Sequence, residues 1–139
     1  MILSRPLGWF WLLAIVLLAW NVIGLVALLF DPVLGLGDVS KLAPEQQALY
    51  AARPAIAFYG FVLATVAGTA GAIALLLRRN FALWLFIASA VGLVLQNAWL
   101  FADPSRLDAG VLGFQALVAG SIVLEIWLTL TAKKRRWSR

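Results

Sequence analysis

The chain has 139 residues, of which 64% are hydrophobic and 12% charged; its net charge is +5, and it contains neither histidine nor cysteine. Soluble domains are about half apolar and about a quarter charged, so a chain this short and this apolar cannot hide its greasy surface within itself, and lipid must cover the remainder. Without cysteine there is no disulfide, thiolate nucleophile or Cys-ligated metal, and without histidine the usual haem ligand and neutral-pH acid–base catalyst are missing.

Four apolar runs reach the length of about 20 residues that a bilayer crossing requires. The first covers about 9–30 and stops at Asp31-Pro32. Its apolar stretch exceeds a signal-peptide core and no small-x-small cleavage site follows, so it reads as a retained helix. Asn21 falls near its midplane. Residues 31–53 form the longest loop, with an irregular first half through Gly37 and a short helix from about Pro44 to Ala52. Proline suits a first helical position, and Glu45 suits the positive end of the helix dipole. Leu42, Leu49 and Tyr50 give this segment an apolar side to lay on the outer membrane surface, as a connector or as a lid.

The second run covers about 55–77 and carries Gly60, Ala64, Gly68 and Ala72 at four-residue spacing, widened by Ala67 and Gly71. Small residues in this register let helix backbones approach closely, either inside one bundle or against a second copy or a partner subunit. Arg78-Arg79-Asn80 is too short a turn for anything but antiparallel neighbours, and the third run follows at about 81–101. Ala88 and Gly92 repeat the small-residue theme there, and Ala116 and Gly120 repeat it in the fourth run, about 111–132. The expected fold is an all-α antiparallel four-helix membrane bundle in a single domain, 1–139.

Polar groups at membrane depth are the functional candidates, since they are costly unless partnered. At about 1.5 Å per residue, Gln96, Asn97 and Gln115 share a layer roughly 8–9 Å to the outer side of the midplane, where their amides can meet or line a vestibule. Glu125 lies roughly 5 Å to the inner side. It is the only acid in any span, with Ser121 and Thr129 four residues to either side on the same helical face. No cation is within reach, so a neutral hydrogen-bonded acid is the expected form, in a structural, proton-coupled or partner-contacting role.

Arg5, Arg78, Arg79, Lys133, Lys134, Arg135, Arg136 and Arg139 fall on the side of the termini, against Lys41, Arg53 and Arg106 on the other. The positive-inside rule then puts both ends in the cytoplasm. Arg78, Arg79, Lys133, Lys134, Arg135 and Arg136 are read as contacts to anionic headgroups rather than to nucleic acid, with Trp137 as an interfacial anchor. Trp9, Trp11, Trp84 and Trp99 read as the aromatic belt, while Trp20 and Trp127 sit deeper, where an apolar pigment or quinone could lie. No nucleophile–base pair, phosphate loop or metal cluster is visible, and no enzyme, cofactor or metal site is expected.

Trp20-Asn21-x-x-Gly24, the prolines Pro44 and Pro54, Gly68-x-x-Gly71 leading to Leu75-Leu76-Leu77-Arg78-Arg79, and then Ala82, Phe86, Ser89 and Gln96 resemble a family of small uncharacterised four-span bacterial inner-membrane proteins. Some of its members carry a sugar-transporter label. The resemblance covers roughly residues 9–130 and implies a bacterial inner-membrane location. One departure is Ala55-Ile56-Ala57 after Pro54, where the family commonly places a tryptophan. Two functions follow as expectations: an accessory or structural subunit, self-associating or part of a larger membrane complex and packing through the second span, or an oligomeric small-solute carrier using Glu125 and Asn21.

Overall fold

The computed structural model describes residues 2–139, which form helices and turns with no strand among them. The helices are α1 (Gly8–Leu29), α2 (Pro44–Ala52), α3 (Ala55–Leu76), α4 (Ala82–Phe101) and α5 (Ala109–Lys134). α1, α3, α4 and α5 are each long and apolar enough to cross a membrane, which makes this a multi-pass membrane protein. Helix is forced on such segments because hydrocarbon offers no partner for a free backbone N–H or C=O.

α5 runs two residues beyond the hydropathic stretch at each end. The Asp108 carboxylate accepts from the Val111 amide at 2.8 Å and caps its start. Lys133 and Lys134 suit the negative end of its dipole. The same device orders the loops. Asp31, Asp38 and Asp103 accept from the amides of Val33, Ser40 and Ser105, each starting a 3-10 turn (Pro32–Leu34, Val39–Lys41 and Pro104–Arg106). The stretch that reads as irregular chain through Gly37 thus holds one capped turn, followed by Gly35 in the left-handed region at φ 74°, and the second turn comes just after it.

α3 is the central helix, with α4 against one side and α1 against another. A Cβ on Gly60 would lie 2.5 Å from the Gln96 amide nitrogen and 2.7 Å from the Gly92 carbonyl oxygen. A Cβ on Gly92 would lie 2.5 Å from the Ala64 nitrogen. Here the two backbones touch, and van der Waals contact supplies the attraction that hydrophobicity cannot give in lipid. Further along, Gly71 faces the Phe86 ring and Gly68 faces the Asn21 side chain. Gly60 and Gly71 therefore pack against α4, and Gly68 between α4 and α1, all within the same chain, with Ala72 buried beside them. α5 differs: Gly113 and Gly120 have no neighbour within 4 Å, and Ala116 is exposed. The small residues of the fourth span do not pack as those of the second and third do.

Phe10, Leu17, Leu75, Phe86, Leu128 and Trp137, with the alanines between them, form one core. It fills the half of the bundle that carries both termini and the α3–α4 turn, which we call the terminal end. The aromatic C-terminal segment belongs to it. Trp137 is only 4% exposed and meets the rings of Phe10 at 5.5 Å and Trp9 at 5.6 Å. It is a core residue, not the interfacial anchor its flanking charges suggest.

The terminal end is tied by backbone geometry. Arg79 N donates to Ala74 O and Arg78 N to Leu75 O, while Trp137 N donates to Ala132 O and Arg136 N to Lys133 O. Both are Schellman endings, with an arginine at φ 58° (Arg78) and at φ 56° (Arg136) where glycine is usual. Arg78 gains from the position: its guanidinium donates to Trp137 O and, at 2.9 Å, to Ser4 O. That engages a side chain expected to face lipid headgroups. Asn80 N to Arg139 O and Arg139 N to Arg78 O complete the tie. Arg136 is exposed. Arg136→Gly is expected to raise unfolding stability by up to about 1 kcal/mol by relieving the left-handed strain. Arg78→Gly is expected to lower it, since the guanidinium bonds go with the side chain. Unfolding titrations of both in detergent check the contrast.

Candidate functional site

The apolar core stops halfway along the bundle, and the other half, beneath α2 and the loops, holds a half-open cavity of about 400 Å³. That lies within the range of small-molecule sites, about 300–1,000 Å³. All four spans wall it. It runs from Asp31, Tyr50 and Arg53 at the loop end, past Gln96 and Gln115, to Asn21 and Glu125 against the core.

The mouth is built by two chain breaks. Asp31 follows α1 and Arg53 joins α2 to α3. The Arg53 guanidinium donates through Nη1 to Asp31 Oδ2 and through Nη2 to Oδ1, both at 2.7 Å. It also lies 5.1 Å from the Tyr50 ring and 5.3 Å from that of Phe58. Burial by itself would push the Asp31 carboxyl up; the Arg53 fork and the Val33 amide outweigh it and hold the group below the usual carboxylate range. The same bonds raise Arg53 further into its charged form, against burial. The pair thus stays ionised although Asp31 is only 3% exposed.

Midway down, Asn97 Nδ2 donates to Gln115 Oε1 at 2.8 Å, joining α4 to α5. Two of the three amides expected in one layer therefore meet. The third, Gln96, lines the cavity.

At the floor, Asn21 Nδ2 donates to Leu17 O at 2.8 Å and to Glu125 Oε1. Glu125 is 1% exposed. No buried side-chain polar atom among the described residues lacks a partner. Among the described residues none donates to Glu125 Oε2, so the little of this side chain that is exposed includes that oxygen, and the residue lines the cavity. Beside it, Trp20 Nε1 donates to Ser121 Oγ at 3.0 Å, and Ser121 donates to Val118 O. Thr129 donates to the Glu125 carbonyl oxygen at 2.8 Å, one turn below. α1 and α5 are thus tied by a polar seam, Trp20–Ser121 and Asn21–Glu125.

Depth along each helix is visible in the sequence, and it groups Gln96, Asn97 and Gln115. It separates Asn21 from Glu125 by about three residues of rise, a gap that side-chain length and helix tilt close. The Asp31–Arg53 pair has no such signal, because its members stand 22 positions apart in the sequence, with loop and helix between them. The basic residues expected at the headgroups lie apart from this site. Lys133, Lys134, Arg136 and Arg139, with Asn80 and Ser138, border a second cleft, at the terminal end. Among the described residues no group of three His, Cys, Asp or Glu side chains could hold a metal ion. Comparison with protein-family models, with curated proteins and with solved structures found no match to this chain.

Proposed function

We propose that this chain is a small-solute carrier of a bacterial inner membrane, with the cavity as its binding site. In this reading the bundle is antiparallel, both termini are cytoplasmic, α2 lies at the outer interface, and the solute enters past Asp31–Arg53 towards Glu125 and Asn21. One observation carries it: a cavity walled by all four spans reaches from a charged mouth to the lone acid of the membrane segments. The orientation rests on the excess of Lys and Arg at the terminal end, whose four exposed cations Lys133, Lys134, Arg135 and Arg136 meet anionic headgroups. The accessory-subunit alternative is less well supported, because the small-residue strip of α3 is covered by α4 and α1 rather than left for a partner.

The chain has no cysteine, so a single introduced thiol reports one position. In right-side-out vesicles, Gln96→Cys and Gln115→Cys are expected to react with an external, membrane-impermeant maleimide at least tenfold faster than Ala74→Cys in the core. Silence at both positions from either side overturns the site, and reaction only from the cytoplasmic side overturns the orientation.

A further inference from the structure

The polar atoms around the floor differ in kind from those higher up. Ser89 Oγ donates to Ala64 O at 2.7 Å, and Thr65 Oγ1 donates to Phe61 O at 2.8 Å. Ser121 donates to Val118 O, and the one N–H of the Trp20 indole is engaged by Ser121. Both protons of the Asn21 amide are taken, by Leu17 O and Glu125 Oε1. A hydroxyl has one proton, an amide nitrogen two and an indole one, so the donors of these side chains are used. What they still offer is acceptor capacity: hydroxyl lone pairs and the second oxygen of Glu125.

Charge points the same way. The charged side chains on the cavity wall are Asp31, Arg53 and Glu125. The first two neutralise each other through a two-bond fork. Glu125 is left with an amide for company and no cation; the neutral acid expected of the empty site would become a carboxylate by passing its proton to an entering amine, which then stays as the ammonium counter-ion. Trp20 lies beside Glu125 at the floor, and Phe61 and Phe114 line the cavity nearer the mouth, an aromatic wall for an apolar body.

We propose, on the reading of the cavity as a solute site, that its ligand is a small organic cation: a protonated primary or secondary amine on an apolar or aromatic body. The ammonium sits at the floor, donating to Glu125 and to hydroxyl oxygens, and the body lies against the aromatic walls. Gln96, whose side chain makes no hydrogen bond among the described residues, meets the far end. The volume holds roughly a dozen non-hydrogen atoms at protein-like packing.

The test uses the full chain carrying Gln96→Cys in mild detergent and reads the rate of maleimide modification. The probes are 2-phenylethylamine, its neutral counterpart 2-phenylethanol, and the trimethylammonium derivative, which keeps the charge but has no N–H donor. Expected is saturable slowing of at least fivefold by the amine, little by the alcohol, and less by the trimethylammonium compound than by the amine. Adding Glu125→Gln is expected to abolish the amine's protection while the thiol stays reactive. Equal protection by alcohol and amine overturns the proposal and leaves the solute site standing, as does amine protection that survives Glu125→Gln. A thiol that never reacts refutes the solute site itself. Should Glu125→Gln fail to fold, the amine–alcohol comparison on the Glu125 protein decides alone.

Discussion

Gly92→Ala is expected to destabilise the bundle by about 3 kcal/mol, the upper part of the range for overpacking a tight interior. The added carbon has no flexible side chain to push aside. It would stand 2.5 Å from the Ala64 nitrogen, 2.6 Å from the Gly60 oxygen and 3.0 Å from the Ala64 Cα, all of them helix backbone. The only relief is to part α3 from α4, and these helices have little else to hold them, since lipid solvates their apolar side chains as well as protein does. Gly60→Ala is expected to behave alike, its Cβ falling 2.5 Å from the Gln96 nitrogen. Because the two glycines face each other, the double variant should cost clearly less than the sum, the helices having already been forced apart. Gly120→Ala, with nothing within 4 Å, should stay within about 0.5 kcal/mol of wild type. Unfolding in mixed micelles with increasing SDS reads all four. Near-neutral behaviour of Gly92→Ala would mean that the α3–α4 contact is not the close backbone approach described above.

Arg53→Ala is expected to cost about 3 kcal/mol, because deleting one partner of a buried ion pair strands the other. Asp31 would remain as an almost fully covered carboxylate. Asp31→Asn should cost less, since the long Arg53 side chain can turn its charge towards the loop-end surface. The pH dependence separates the effects by sign. In the wild type the Asp31 carboxyl is held below its ordinary value of 3.8. Its contribution to stability is therefore complete above that pH and is lost as acidity carries the solution down through the folded value. In Arg53→Ala the largest single influence, burial, is opposed only by the Val33 amide, so the carboxyl titrates higher when folded than when unfolded, and acidification restores part of the lost stability. The free-energy gap between the two proteins should thus narrow as pH falls towards 4, and a gap independent of pH between 7 and 4 would argue against an ionised pair.

The helices were the most legible part of this protein, and their rotation about their own axes the least. Hydropathy locates a span because hydrocarbon demands an unbroken apolar run. A span surrounded by lipid on one side and protein on the other is apolar on both, so it lacks the stripe that tells a soluble helix which face turns inward. Gly60 and Gly68 could be recognised as a packing strip, yet nothing in their spacing said that α4 would meet the first and Asn21 the second. Asn97 and Gln115 were legible as a layer because depth is a matter of counting. The Asn21–Glu125 contact needed azimuth as well as depth. Trp137 misled because its basic neighbours fit a surface anchor, whereas the left-handed turn at Arg136 swings the ring back onto Phe10. The ends of α5 were set by Asp108 and two lysines, which hydropathy counts as outside the span.

The halting of the apolar core partway along the bundle divides its mechanical resistance unequally. At the loop end α3 and α4 stay in backbone contact at Gly60 and Gly92, but α1 and α5 are joined to them across a void by only a few polar links. At the terminal end Phe10, Phe86 and Trp137 interlock, and any passage has to separate close-fitting rings. On the proposal that the chain is a carrier, its stiffest segment would govern the cycle, and the pace of solute release would be set by residues that never touch the solute.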